Sequence, residues 1–302
     1  MAAEWYRKAA EQGDAAPQFN LGKLYDNGQG VLQDFALAAE WYRKAAEQGL
    51  AVAQNRLGRR YNNGQGVLQD FSLAAEWYRK AAEQDNADAQ LNLAILYHTG
   101  QGVPQDFSLA AEWYRKAAEQ GDASAQLNLG ILYSDGQGVP QDLSLAAEWY
   151  RKAAEQDNAD AQLRLGHLYL FGEGIPEDIN LAAEWFRKAV KNGFVDGMAA
   201  ENEFAKNVWA LGARYHIGLG VPQNFALAVE WYRQAAEQGH ETAQCALGTL
   251  YCDGQGVPQD FSLASEWYRK AAEQGHDGAQ CSLGNLYRDG RGECQDFCVQ
   301  GG

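Results

Sequence analysis

The sequence predicts an all-α chain, an α/α solenoid of about eight 36-residue helix–turn–helix repeats. Three observations predict it. Trp5, Trp41, Trp77, Trp113, Trp149 and Trp185 stand 36 residues apart, and Trp231 and Trp267 resume the interval after an insertion of 10 residues. Fixed periods of about 20–50 residues are the signature of repeat architectures. An Asp or Asn recurs before one apolar run of every full unit, at Asp34, Asp70, Asp106, Asp142, Asp178, Asn224 and Asp260. A glycine closes the other run, as Gly136 does.

The unit from Ala125 to Asp160 shows how each element arises. Ala125, Leu129, Leu132 and Gly136 fall within about 60° of one another on a helical wheel, the stripe of a core-facing helix. Gly136 tolerates the left-handed backbone of a helix end, and Gln137-Gly138-Val139-Pro140 does not continue a helix. The carboxylate of Asp142 then accepts from the free amides of a second helix. In the equivalent helix before it, Leu109, Ala110, Trp113, Tyr114, Ala117 and Ala118 cover an arc of about 180°, too wide for a single packing partner. Glu112, Arg115, Lys116 and Glu119 fill the remaining arc, with Glu112 and Lys116 an i, i+4 pair worth ~0.2–0.5 kcal/mol. That helix stops at Gly121, where Asp85 and Asp157 stand in two other units and also visit the left-handed region. One such pair cannot bury its apolar arc alone, so neighbours stack into a continuous core.

Gly22, Gly58, Gly130, Gly166, Gly212, Gly248 and Gly284 share one position inside the first helix, with Ala94 the exception. An interior glycine costs ~1 kcal/mol against alanine. Its recurrence implies that the bare backbone receives a neighbouring side chain or helix.

The insertion lies between Gly193 and Gly212. Residues 198–208 read as an N-terminal extension of the sixth first helix, since Met198 to Trp209 holds no Gly or Pro and Phe204, Val208, Leu211 and Tyr215 keep the core stripe. Ten helical residues add ~15 Å, so this helix is expected to project beyond its neighbours or fold over an edge. Residues 291–302 read as an irregular tail to the single solenoid domain, 1–302. The first unit enters at a second helix and the last runs out after a first helix, which suggests a fragment of a longer chain or end-to-end self-association.

The net charge is −15, and 15 of the 25 basic residues sit in the Arg-Lys pairs that follow the tryptophans, diluted by glutamates. Nucleic-acid binding, which needs clustered cations, is not expected. No run approaches the ~20 apolar residues of a membrane-spanning helix, so no membrane insertion is expected. Met1-Ala2-Ala3-Glu4-Trp5 lacks the pattern of a secretory signal, and the five cysteines are odd in number without regular pairing. A reducing, cytoplasmic setting is the expectation. No Ser-x-x-Lys, Gly-x-Ser-x-Gly, His-Glu-x-x-His or phosphate-binding Gly-x-x-x-x-Gly-Lys occurs, so no catalytic, cofactor-binding or metal-ligating residue is expected, and no enzyme. The repeated Gly-x-Gly reads as a turn.

The pattern Ala-Gln-x-x-Leu-Gly-x-x-Tyr-x-x-Gly-x-Gly-Val-x-x-Asp, then Ala-x-x-Trp-Tyr-Arg-Lys-Ala-Ala-Glu-Gln-Gly, resembles the Sel-one-like repeat family, related to tetratricopeptide repeats. Residues 125–139 and 146–156 carry it almost without departure. The resemblance implies a right-handed superhelix that acts as a scaffold or adaptor for other proteins. A cysteine-rich branch of the family is linked to beta-lactam binding and hydrolysis, but this chain lacks that cysteine spacing. A beta-lactam enzyme and a self-assembling structural solenoid are the alternative readings.

The eight copies differ most at three positions of the first helix, opposite the core stripe. Leu127, Ile131 and Ser134 occupy them in one repeat. Elsewhere they are Phe19, Lys23 and Asp26; Asn55, Arg59 and Asn62; Leu91, Ile95 and His98; Leu163, His167 and Leu170; Trp209, Ala213 and His216; Cys245, Thr249 and Cys252; Cys281, Asn285 and Arg288. If first helices line the concave side, a peptide or protein segment would lie on Leu91, Ile95, His98, Leu127, Ile131, Ser134, Leu163, His167, Leu170 and Trp209. The other reading is lateral packing against the next first helix. His98, His167 and His216 lie in different repeats and do not suggest a shared metal; His240 and His276, in the inter-helix turn, read as surface residues.

Overall fold

The structure, a computed structural model, describes residues 2–193 and 200–291. Sixteen helices and no strand occur among them: α1 (Ala2–Glu11), α2 (Ala15–Asn27), α3 (Phe35–Glu47), α4 (Ala51–Asn63), α5 (Phe71–Ala82), α6 (Ala87–Thr99), α7 (Phe107–Glu119), α8 (Ala123–Asp135), α9 (Leu143–Ala154), α10 (Ala159–Phe171), α11 (Ile179–Lys191), α12 (Ala200–Ile217), α13 (Phe225–Glu237), α14 (Glu241–Asp253), α15 (Phe261–Glu273) and α16 (Asp277–Arg288). Even-numbered helices are the first helices of the repeats and odd-numbered ones the second. The solenoid divides into two compact units, one holding α1 to α9 and ending at Asn158, the other holding α10 to α16 and beginning at Ala159. Within each, a first helix packs on the second helix that follows it, which packs on the next first helix.

The expected caps are present. Asp34 and Asp178 each accept from two amides of the following turn, and Asp70, Asp106, Asp142, Asp260 and Asn224 from one, at 2.9–3.1 Å. Gly136 ends α8 at φ 68°, and Asp85 and Asp157 adopt φ 59° and 62° at the second-helix ends. The later glycine of the Gly-x-Gly turn meets the preceding repeat: a Cβ on Gly102 would lie 2.2 Å from the carbonyl carbon of Phe71.

The interior glycines do receive a neighbour. A Cβ on Gly22, Gly58, Gly130, Gly212 or Gly248 would lie 2.6–2.8 Å from the ring of Tyr42, Tyr78, Tyr150, Tyr232 or Tyr268, and one on Gly166 would lie 2.6 Å from Phe186. The aromatic ring of the second helix thus rests on bare first-helix backbone. Gly284 on α16 has nothing that close.

A second repeated device is the buried glutamine four residues before the glycine. Gln90 Nε2 donates to the carbonyl of Ala82 at the end of α5 (3.1 Å), while its Oε1 accepts from Gln120, at the end of α7 (2.8 Å). Gln18, Gln54 and Gln126 repeat both contacts in the first unit and Gln244 in the second. One side chain therefore fastens three successive helices. In α12 the slot holds Val208, fully buried.

The Arg-Lys pairs, expected to serve as solvated charge, are fastened to the scaffold. Lys44, Lys80, Lys116, Lys188 and Lys270 lie 3.9–4.2 Å over the half-buried rings of Trp41, Trp77, Trp113, Trp185 and Trp267. Lys116 thus turns onto Trp113. Arg43, Arg79, Arg115 and Arg233 donate to the hydroxyls of Tyr61, Tyr97, Tyr133 and Tyr251 on the next first helix, at 2.6–2.7 Å. The deep layer of α7 is Ala110, Ala111, Tyr114, Ala117 and Ala118 rather than Trp113.

α12 begins at Ala200, five residues before Ala205, which aligns with the start of the other first helices. Within the described residues the added length is ~7.5 Å. Phe204 and Val208, expected on the core stripe, are buried in the core of the second unit. Residues 198 and 199 of the expected extension, and 292–302 of the expected tail, lie outside the described residues.

Two substitutions test these devices. Gly130→Leu forces the Tyr150 ring off the backbone and is expected to destabilise the chain by about 1–3 kcal/mol. Gln90→Leu removes one of the two donors to the carbonyl of Ala82, which keeps the Asp85 amide, and the acceptor of Gln120, at about 1–3 kcal/mol. Urea unfolding followed by far-UV circular dichroism reads both as lowered midpoints.

Candidate interaction face

Six of the ten expected contact residues belong to the first unit and four to the second. In the first unit Leu91 and Ile95 on α6 and Leu127 and Ile131 on α8 occupy the same two register positions one repeat apart. Ile95 is 37% exposed; the other three are half-buried. Leu91 touches the core from its outer side. Asn92 Nδ2 donates to Asn55 Oδ1 at 3.3 Å, so lateral contact between first helices does occur beside this row.

The third position faces inward. His98 Nδ1 lies 3.4 Å from the Tyr114 hydroxyl, and its ring meets Phe107 edge-on at 5.4 Å. His216 repeats this with Tyr232 at 3.2 Å and Phe225. Asp26 accepts from Tyr42 at 3.1 Å, and in the seventh repeat Thr249, one turn earlier, meets Tyr268 at 3.0 Å. The first helix thus supplies a polar partner for the hydroxyl of the ring it supports. Ser134, at this same position, is half-buried. Burial raises the pKa of these tyrosines, that of Tyr232 to about 12, so their hydroxyls remain protonated.

In the second unit the expectation is overturned at two residues. Leu163 is 6% exposed and Leu170 0%, and both belong to the core. The reason for Leu170 is its partner: α11 carries Phe186 where most second helices carry Tyr, and without a hydroxyl the facing position takes an apolar side chain. The apolar track therefore does not continue across α10 as open surface. His167 Nδ1 lies 2.9 Å from Asn207 Oδ1, and its ring packs at 4.7 Å against Phe171. Trp209, half-buried, stacks on His240 at 5.4 Å with the rings 16° apart.

His240 and His276 are not plain surface residues. Each is a helix cap whose Nδ1 accepts from a backbone amide, that of Ala243 or Ala279, at 3.2 Å. The histidines were legible as part of the repeat, but their ring-nitrogen bonds depend on cap geometry that residue type alone does not signal. Among the described residues no cluster of three or more His, Cys, Asp or Glu could hold a metal ion. No helix among them is long and apolar enough to cross a membrane.

The sequence model described as Sel1 repeat matches residues 1–14, 18–50, 51–86, 87–122, 123–158, 159–194, 208–240 and 242–276. No curated protein matches the chain. Among solved structures, a protective antigen present in uropathogenic Escherichia coli strains and displaying an SLR fold is 39% identical, with TM-score 0.80, over 95% of this chain and 59% of that one. A Sel1 repeat protein from Oxalobacter formigenes is 34% identical, with TM-score 0.63, over 94% of this chain and 79% of that one. The chain thus spans well under two thirds of the first of these.

Burial lowers the pKa of His98, against the pull of Asp135, and that of His240, where Glu241 opposes it and Lys206 adds to it. Both rings therefore take up protons less readily in the folded chain than in the unfolded one, whose histidines titrate near about 6.5. Their contribution to stability is complete above that pH and is lost as the pH falls through the folded values. Thermal melting is expected to drop between about pH 7.5 and pH 5.5, and the His98→Gln, His240→Asn chain is expected to show a flatter dependence.

Proposed function

Because the chain belongs to the Sel1 repeat family, whose members are generally protein-interaction scaffolds, we propose that it is a non-enzymatic scaffold holding an extended segment of another protein on the face of α6 and α8. The observation that carries this reading is the row Leu91, Ile95, Leu127 and Ile131. The residues that build the repeat are buried in copy after copy, whereas Ile95 stays 37% exposed beside three half-buried apolar neighbours. Contiguous apolar surface on a folded chain marks contact sites, and a row of side chains at one register suits an extended or helical peptide. A rigid stack of helices presents such a row at little ordering cost. His98 and Ser134 lie at its inner edge and position the face. Leu163 and Leu170, being core, are not part of it.

The test is affinity capture from the source organism followed by mass spectrometry, with wild-type chain and an Ile95→Glu, Ile131→Glu chain side by side. A partner retained by the first and lost from the second, with unchanged circular dichroism, is the expected result. Equal capture by both removes α6 and α8 as the contact face.

A further inference from the structure

α4 stands apart from the other first helices: its 13 residues include Arg56, Arg59 and Arg60 and no Asp or Glu. In a chain of net charge −15 this is a local reversal of sign. The dilution of cations by glutamates holds for the second helices and fails here. Arg60 is already engaged, since it is buried, pairs with Asp26 on α2 and lies over the rings of Phe35 at 5.2 Å and Tyr42 at 5.9 Å. Asp26 is the one acid within α2 and also accepts from Tyr42. Three cations are left without a carboxylate: Lys23 on α2, exposed and 5.8 Å from the Phe19 ring, and Arg59, exposed, and Arg56, half-buried, on α4. Among the described residues none of the three meets a carboxylate.

Their placement gives the cluster a direction. Lys23, Arg59, Ile95 and Ile131 hold the same register in α2, α4, α6 and α8, and Asn20, Arg56, Asn92 and Asn128 form the row three residues earlier. The bond between Asn92 and Asn55 ties α6 to α4 beside both rows. Within α2, α4, α6 and α8 the exposed acids are Asp88 on α6 and Asp135 on α8. Along one line, therefore, two cations are followed by two isoleucines with acids at their flank.

We propose that Lys23, Arg56 and Arg59 bind the carboxylates of an acidic stretch in the partner peptide, whose apolar side chains then lie on Ile95 and Ile131, so that the segment docks in one orientation. This rests on the reading of α6 and α8 as the contact face. Guanidinium groups bind carboxylates in a two-pronged geometry that fixes direction as well as charge. A reversed peptide would place its acids beside Asp88 and Asp135, and like charges brought together exclude the wrong register. Neighbouring helices lie about 10 Å apart and an extended chain advances about 3.3 Å per residue, so about three peptide residues span each repeat.

Fluorescence anisotropy tests it with three labelled peptides: four acidic residues followed by leucines at every third position, the same peptide with Gln and Asn for Glu and Asp, and the order-reversed peptide. The acidic peptide is expected to bind about five- to thirtyfold more tightly than its amide version. That advantage is expected to vanish in an Arg56→Glu, Arg59→Glu chain, to shrink with Lys23→Glu, and to fade between about 0.05 and 0.5 M salt; circular dichroism verifies that each chain is folded. Equal binding of acidic and amide peptides, or full binding by the double arginine variant, overturns the proposal, as does no binding of the acidic peptide. If both peptides bind alike and the Ile95→Glu, Ile131→Glu chain loses both, the contact face stands and the charge proposal alone falls.

Discussion

Six times among the described residues an aromatic ring from a second helix rests on the bare backbone of a first helix, so close that a single added carbon would stand 2.6–2.8 Å from the ring. That seat sets the distance between the helices of a repeat, and from the distance follow most other features. The small residues Ala146, Ala147, Ala153 and Ala154 around Tyr150 on α9 are buried because the helices are that near. Leu129 and Leu132 then fill the space on the first-helix side. The helix-propensity cost of the glycine, about 1 kcal/mol, is offset by burial of a whole aromatic side chain.

Stacking between repeats depends on polar ties of fixed register. The buried glutamines bind the carbonyl end of one helix to the side chain ending another, and the arginines reach the next tyrosine hydroxyl. Each tie joins neighbours only, so stability accumulates repeat by repeat. The repeat with the insertion departs from this scheme. Val208 replaces the glutamine, Arg187 turns to Glu230 at 3.1 Å and lies 4.9 Å from the ring of Trp231, and Tyr215 donates to Asn180. A local set of contacts holds what the periodic set holds elsewhere.

The repeat length, the caps at Asp and Asn, the glycine seat and the helix–turn–helix order were all legible in the sequence, because each is a property of one residue type at one helical phase. The burial of Gln90 and its counterparts was not, since a polar residue next to a core stripe gives no sign that a backbone carbonyl and a side-chain amide converge on it. Trp113 was expected within the wide apolar arc of its helix, and it lies at the edge of that arc, half-buried, with Lys116 over its ring. At the candidate face, the variable positions were legible as variable. Whether each is open depends on the facing helix: Leu170 is buried beside Phe186, while Ile95 has no such cover.

The pairing of a ring with its partner on the helix it covers, Tyr114 with His98, Tyr232 with His216 and Phe186 with Leu170, makes the two members of a helix pair interdependent. A recombination breakpoint inside a pair would leave a hydroxyl facing leucine or a histidine facing phenylalanine. A breakpoint between pairs would preserve every match, because the ties across that junction use the same residue types in most copies. The heritable module is thus the helix pair, and duplication or loss of whole pairs is the path along which such a chain changes length without first losing its fold.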